Sequence, residues 1–599
     1  MWSKQSILRD IISFLINRSQ QFQQQLEKPY VLFASELMHS LCWMKLNYSK
    51  NLINKARITS EKIAMKTTTN HYDVIIIGTG ASGGTLAHRL ALTGKKILVL
   101  ERGDFLPREK DNWSAKEVYQ KERYHTDEDW YDKDGKAFRP QTGYWVGGNT
   151  KLYGAALLRL RERDFEQVIH KGGISPEWEL KYEDFEPYYT QAEKLYDVHG
   201  ERGKDPTEPP CSESYPYPAV SHEPDMQALA DCIHKLGYYP FHLPLGLKLN
   251  ESDRTKSPCI RCDTFDGYPC LVGAKADADV NAIRPTREAY SNLTLITNAK
   301  VLQLHTSASG REVTAVETDV NGELYQFSAD IVVVACGAIN SAALLLRSAN
   351  DKHPNGLANS SDRVGRNFMK HQAIALLSIH LEPNRANFQK TIAVNDFYWG
   401  EPDFPYPMGM VQNSGNVLPD MIPAEAPPLL APYVKLIPGF ELHLMAERSV
   451  GWWLQTEDLP HPNNRVRVVG DKLHLDYTLN NTEAADRLVH RWTSVLKSIE
   501  RNAMHVIPFS LYPRNNIPLQ AVGHQCGTCC FGSDPKTSVL DLNCRTHDVD
   551  NLYVVDGSFF PSNSGVNPTL TIMANALRVG DAIAERLMVV LHSKENPGF

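Results

Sequence analysis

The chain has 599 residues, 42% of them hydrophobic and 22% charged, with a formal net charge of −7. That length exceeds what one hydrophobic core serves, so two domains are expected, and the slight acidity argues against a nucleic-acid partner. No run of about 18 uninterrupted apolar residues is present, which leaves no candidate transmembrane segment; 11 cysteines in so long a chain do not make a disulfide framework, so a reducing, cytoplasmic setting is expected.

Residues 1–70 form a basic extension. Lys4, Arg9, Arg18, Lys28 and Lys45 outweigh the acids, and the apolar patches Ile11–Ile16 and Tyr30–Ala34 are short. No apolar core of adequate length precedes a small-residue cleavage site, so this is not a secretory signal. Two readings stand side by side: a dispensable leader, with Met65 just ahead of the first strand, and a peripheral membrane contact through residues 1–64.

Val74–Ile77 is a β-branched run of strand type, Gly78-Thr79-Gly80-Ala81-Ser82-Gly83 is a GxGxxG turn, and Thr85–Leu92 has helical spacing. Gly78 permits the tight turn, Gly80 lets a pyrophosphate approach the backbone, Gly83 lets helix and strand pack closely, and the helix N-terminus offers unpaired N–H donors. A second strand, Ile97–Leu100, delivers Glu101 roughly 20 residues past the glycines, the spacing for gripping ribose hydroxyls. Strand, turn, helix, strand and acid agree on a dinucleotide site.

Beyond Gly103 the chain is polar and aromatic up to Val146-Gly147-Gly148-Asn149-Thr150, where a glycine pair suggests backbone pressed against a ligand. Lys171–Pro218, rich in Pro and Tyr, suggests surface connections and short helices. The cysteines of Cys259-x2-Cys262-x7-Cys270 have spacing suited to thiolate ligands, but no fourth ligand is local, and unligated thiols are the simpler reading. No metal site is therefore assigned. Asn292–Thr297 and Val301–Leu304 look like strands, and Ala329–Gly337 like a fully buried strand ending on glycine, followed by a helix over Asn340–Ser348. Leu381–Pro438 is proline-rich, which suggests irregular structure over a pocket. Asn551–Ser558 is a strand ending in the acid Asp556, and Asn567-Pro568-Thr569-Leu570 opens a helix over Thr571–Leu587. An acid there can hold sugar or ribityl hydroxyls, and the helix start can aim N–H donors at an electron-rich ring edge.

Through GTGASGG, VGGNTKLYGAALLR, CGAINSAALLLRS, VGRNFMKH, GHQCGTCCFG and LYVVDGSFFPSNSGVNPTLTIMANALR, the chain resembles the glucose–methanol–choline (GMC) oxidoreductases over most of residues 72–587. The resemblance implies an α/β fold: a Rossmann-like FAD domain, discontinuous in sequence, with a substrate domain built on a mostly antiparallel sheet. It divides the chain into an FAD-binding region over 71–374, an irregular substrate-domain segment over 375–450 and a C-terminal region over 451–590. It also implies oxidation of the CH–OH group of an alcohol, polyol or sugar, with oxygen, a quinone or a redox protein open as the electron acceptor. The cofactor-binding set it implies is Gly78, Gly80, Ala81, Ser82, Gly83, Glu101, Arg102, Gly148, Asn149, Thr150, Tyr153, Gly154, Ala155, Val301, Gly337, Asp556, Gly557, Pro568 and Thr569.

Position by position, His524 falls on the family's active-site base and Asn567 on its partner. The chemistry agrees: hydride leaves a carbinol carbon readily when the hydroxyl proton leaves too, and an imidazole can accept it. Departures from the family's pattern carry expectations of their own. Tyr153 stands where Asn is usual and is expected to pack on or bond to the flavin. Leu152 stands where some relatives carry a histidine bonded to the flavin, so FAD is expected to be non-covalent. Cys530 and Phe531 replace a basic residue and a methionine, which makes the surroundings of His524 less polar and lowers its pKa. A lyase or a light-driven fatty-acid decarboxylase on the same scaffold is the alternative. Arg159, Arg161, Arg163, Trp452 and Trp453 are read equally well as pocket lining or as ion pairs and core.

Overall fold

A computed structural model describes residues 65–426, 431–502, 512–521 and 523–588. The two readings of residues 1–64 lie outside the described residues. The first strand is longer than its apolar run suggests. β1 (Lys66–Ile77) starts at the exposed Lys66, and Lys66 and Thr67 pair with Tyr325 and Gln326. Lys66–Asn70, counted with the extension on composition, therefore belong to a sheet.

The glycine turn opens α1 (Ala81–Ala91), and β2 (Ile97–Leu100) follows at its four apolar residues. The expectation of short surface helices between Lys171 and Pro218 gives way at α2 (Tyr182–Leu195). Tyr182, Phe185 and Tyr189 recur there at i, i+3 and i+7 and are buried beside Phe165 and Trp178. β3 (Leu293–Ile296), β4 (Ala299–Thr306), β5 (Val313–Val320) and β6 (Glu323–Val334) lead into α3 (Ala338–Arg347). β7 (Gln372–Ile379), β8 (Ile392–Val394), β9 (Met410–Asn413) and β10 (Ser449–Thr456) precede α4 (Thr482–Asn502). β11 (Arg514–Asn516), β12 (Leu552–Val554) and α5 (Thr569–Arg586) complete the order.

These strands form two large sheets. In the first the order is β3-β2-β1-β6-β5-β4, with β12 also paired to β6. β3, β2, β1, β6 and β12 run parallel, whereas β4, β5 and the first half of β6 form an antiparallel meander. The parallel strands read as continuous Val, Ile and Leu because helices cover the sheet and leave neither face to water. Their C-terminal ends bring Gly78, Glu101, Gly337 and Asp556 to one edge, where ligands of such sheets bind.

The second sheet is antiparallel throughout, in the order β11-β7-β10-β9-β8 with an edge at Phe241–His242. β8 and β9 lie inside the proline-rich stretch expected to be irregular; each is too short for an alternating pattern to stand out. Arg159 and Arg161 are held in ion pairs: Arg159 is buried against Glu193 and Glu186, and Arg161 pairs with Asp205. Arg163 lies over the Trp399 ring. Among the described residues no helix is long and apolar enough to cross a membrane.

α4 closes one face of the second sheet. Leu488, Trp492, Val495 and Leu496 form its buried stripe, and Trp492 meets Trp452 edge to face at 4.7 Å between centroids. Trp492→Ala is expected to cost about 3–5 kcal/mol, the usual result of emptying a core aromatic site. Urea unfolding followed by circular dichroism checks this.

Candidate active site

Between the two sheets lies a cavity of about 1250 Å³, above the ~300–1,000 Å³ of an ordinary ligand pocket. Every cofactor-binding residue expected from sequence lines it except Gly83. Gly83 sits behind the turn, where a Cβ would come 2.1 Å from the Gly78 carbonyl oxygen. Gly80 differs in kind: a Cβ there meets nothing nearer than the Gly148 Cα at 4.0 Å. The empty space in front of Gly80, at the start of α1, is a cradle for a phosphate, and this part of the site fits FAD.

The two acids at the strand ends are buried. Glu101 accepts from the Thr79 N–H and the Gly103 N–H, both at 3.0 Å, and from the Thr79 hydroxyl at 2.5 Å. Asp556 accepts from the Gly337 N–H at 2.9 Å, the Ser558 N–H at 3.0 Å and the hydroxyls of Ser341 and Ser558. Burial pushes both carboxyls up, and these hydrogen bonds pull them back. Glu101 thus ties its loop to the glycine turn, and Asp556 ties its own to the start of α3, while both face the cavity. Arg102 pairs with Glu128 at 2.5 Å and lies 3.5 Å over the Tyr144 ring.

At the other end of the cavity, His524 and Asn567 come together from segments 43 residues apart, Asn567 Nδ2 lying 3.4 Å from His524 Nε2. Gln412 on β9 donates to Asn567 Oδ1 at 2.9 Å. With its oxygen engaged by Gln412, the Asn567 amide presents N–H to His524, so the Nε2 lone pair faces the amide and the cavity. The His371 ring stands edge to face with His524 at 5.0 Å, and its Nε2 donates to the Asn563 carbonyl at 3.1 Å.

The His524 pKa is lowered to about 4; enclosure by protein is the main cause, the Lys390 ammonium adds to it, and the Asp266 carboxylate works against it. The direction matches the sequence reading, but the cause differs. Cys530 and Phe531 face away, Cys530 bonding the Phe560 carbonyl and Phe531 packing on Trp178 and Phe559. Of the two roles expected of Tyr153, packing by the ring is open to it and bonding by the hydroxyl is not. Its ring edges the cavity, while its hydroxyl bonds the Ala276 carbonyl. Leu152, Trp452 and Trp453 line the cavity as well.

Several cavity residues carried no signal in the sequence. Gln412, Lys370, Lys390 and Asp266 reach the cavity from separate elements. Of these only Lys370, with His371 beside it at the end of VGRNFMKH, stood within a recognisable motif. Among the described residues no group of three or more His, Cys, Asp or Glu side chains is placed to hold a metal ion. Burial pushes the Cys259 thiol up to about 11, and Cys526, Cys529 and Cys544 are buried core.

Two family models, each described as GMC oxidoreductase, match this sequence over residues 72–373 and 460–576. The 6'''-hydroxyparomomycin C oxidase of Streptomyces lividus is 31% identical, the match covering 86% of this chain and 92% of the relative. The fructose dehydrogenase large subunit of Gluconobacter japonicus is 28% identical, covering 87% and 99%. Among solved structures, pyridoxine 4-oxidase from Mesorbium loti superposes with a TM-score of 0.58 at 19% identity, covering 86% of this chain and 99% of that one.

The two glycines of the turn separate folding from binding. Gly83→Ala is expected to disrupt the strand–helix contact and yield little soluble protein. Gly80→Val is expected to give a folded protein, by circular dichroism, that purifies without flavin absorbance.

Proposed function

This chain belongs to the GMC oxidoreductase family and is an FAD-dependent enzyme that oxidises CH–OH groups, and we propose that His524 is its base and Asn567 its substrate-orienting partner. The contact between the two, with Gln412 holding the amide, is the observation that carries this reading.

The residues that would hold FAD are the Gly78–Gly83 turn with the start of α1 for the pyrophosphate, Glu101 for ribose hydroxyls, and Gly148–Ala155 with Pro568 and Thr569 for the ring. Leu152 offers no nucleophile, so the cofactor is held without a covalent bond. The chemistry FAD supplies when bound is acceptance of a hydride from the carbinol carbon. The protein's part is the proton. His524, neutral at ordinary pH, takes the hydroxyl proton at Nε2 while the carbon–oxygen bond becomes a carbonyl. The Asn567 N–H donates to the substrate oxygen and keeps the O–H directed at the imidazole. Residues 71–374 supply most of the cofactor site, 375–450 cover the pocket, and 451–590 bring the base and its partner and return to the cofactor site at Asp556–Gly557 and Pro568–Thr569.

His524→Ala is expected to retain FAD and slow anaerobic flavin reduction by roughly 10²–10⁴, the usual contribution of a general base. Stopped-flow bleaching measures this, and an unchanged rate removes His524 from the mechanism. Acid precipitation should release all the flavin; yellow colour left on the polypeptide would contradict non-covalent binding.

The pH dependence follows from the depressed histidine. A base must be unprotonated, and His524 stays so until the pH falls through about 4. kcat/KM should therefore be flat from neutrality down to about pH 5 and drop below it. An acid limb near pH 6.5, the value of a free imidazole, would show that the enclosure of His524 does not govern it.

A further inference from the structure

Beside His524 the cavity wall carries an ion pair that proton abstraction does not use. Lys390 Nζ lies 2.6 Å from Asp266 Oδ2 and 3.3 Å from the Asn413 carbonyl oxygen. Asp266 Oδ2 also accepts the Gly415 N–H at 3.3 Å. The pair is built in. The Lys390 side chain is 5% exposed and that of Asp266 26%, and Lys390, Asp266, Ser414, Gly415 and Asn416 all line the cavity.

Its position relative to the base is set by one strand and one loop. Gln412, Asn413 and Gly415 are nearly consecutive: the first holds Asn567, and the other two hold Lys390 and Asp266. From the opposite side the pair is packed on Gly154, where a Cβ would come 2.3 Å from Asp266 Oδ1 and 2.8 Å from Lys390 Cε. The ion pair therefore stands between the cofactor loop at Gly154 and the substrate-orienting amide.

Burial works to raise the Asp266 carboxyl, but the adjacent ammonium holds it below the usual carboxylate range, so the wall presents an anion beside a cation. A hydroxyl group is both donor and acceptor, and can give its proton to the carboxylate while accepting from the ammonium. An alkyl chain in the same place does neither and strips water from the charges. A substrate ammonium would meet Lys390 and Lys370 across the same space.

We propose that Asp266 and Lys390 form a specificity site for a second hydroxyl, and that the enzyme's substrates are neutral polyhydroxylated alcohols, sugars or polyols, oxidised at one hydroxyl while another bridges the ion pair. This rests on the reading of His524 and Asn567 as the reacting end of the cavity. Because the two charges satisfy each other when no hydroxyl bridges them, the discrimination is smaller than the 10⁴–10⁵ of a site left with unpaired polar groups. We expect about 10–100-fold.

The test compares matched alcohols on the FAD-loaded enzyme, sorbitol against 1-hexanol and 1,2-propanediol against 1-propanol, by anaerobic flavin reduction. The wild type should favour the polyhydroxylated member of each pair by at least about tenfold in kcat/KM. The double variant Asp266→Asn/Lys390→Met removes both charges with little change of shape, and should lose at least about tenfold more on the polyols than on the monohydric alcohols. Equal losses in the two series, or a wild type that prefers the monohydric alcohols, would overturn the proposal. The wild-type comparison decides the matter even if the variant does not fold. His524→Ala separates this result from a failure of the base assignment, because it should slow both series alike.

Discussion

The carboxylate of Asp556 is the tie on which the site depends. It receives the N–H of Gly337 and the hydroxyl of Ser341, across more than two hundred residues, and thereby docks the end of β12 against the end of β6. The neighbouring backbone extends that docking. The Gly527 N–H donates to the Gly557 carbonyl at 3.0 Å, and a Cβ on Gly557 would lie 2.2 Å from the Gln525 carbonyl oxygen. The loop carrying His524 is thus laid directly on the turn after Asp556, and Asn567 follows ten residues on. Hydrogen bonds to a charged acceptor contribute roughly 1.5–3 kcal/mol each, so removing this acid would loosen base, partner and cofactor edge together.

The same economy of parts shows in the surroundings of the base. His524 is reached by Asn567, which the second sheet holds through Gln412, by the loop after the first sheet through His371, and by Lys390 with Asp266 from two further segments. Of these only the segment ending in His371 carries a recognisable motif. Together they enclose an imidazole that remains neutral well into acid, which suits the proton-accepting role proposed for it.

How much of this was legible depended on whether the residue type alone dictated the geometry. The glycine turn, the buried parallel strands and the acids that end them were legible because φ, close backbone approach and double-sided burial each demand a particular side chain. Gly78, with φ +102°, is one such case. α2 was hidden because its buried face is aromatic and carries Pro187 in its first turns, a composition shared with surface loops. β8 and β9 were hidden by brevity. Gln412, Lys390 and Asp266 could not be found at all, since a lone amide, lysine or aspartate acquires meaning only from what faces it across the fold. Cys530 and Phe531 erred the other way: adjacency to His524 in the chain placed them at the site, while the turn at Gly527, φ +76°, sends them into the aromatic core.

The pairing of β1 with β6, and of β6 with β12, bears on how the molecule comes into being. β1 ends at Ile77 and β12 begins at Leu552, so the two outer parallel neighbours of β6 are made at opposite ends of synthesis. At a translation rate of about 5–20 residues per second, roughly half a minute to a minute and a half separates their appearance. From Val334, where β6 ends, until Leu552 is made, β6 has one parallel partner and an open edge of Ile and Val, the kind of surface that invites wrong pairing. The nascent chain must be kept from aggregating until β12 emerges, and a premature stop between β6 and the loop of His524 leaves a protein with the glycine turn and without the segments that carry His524 and Asn567.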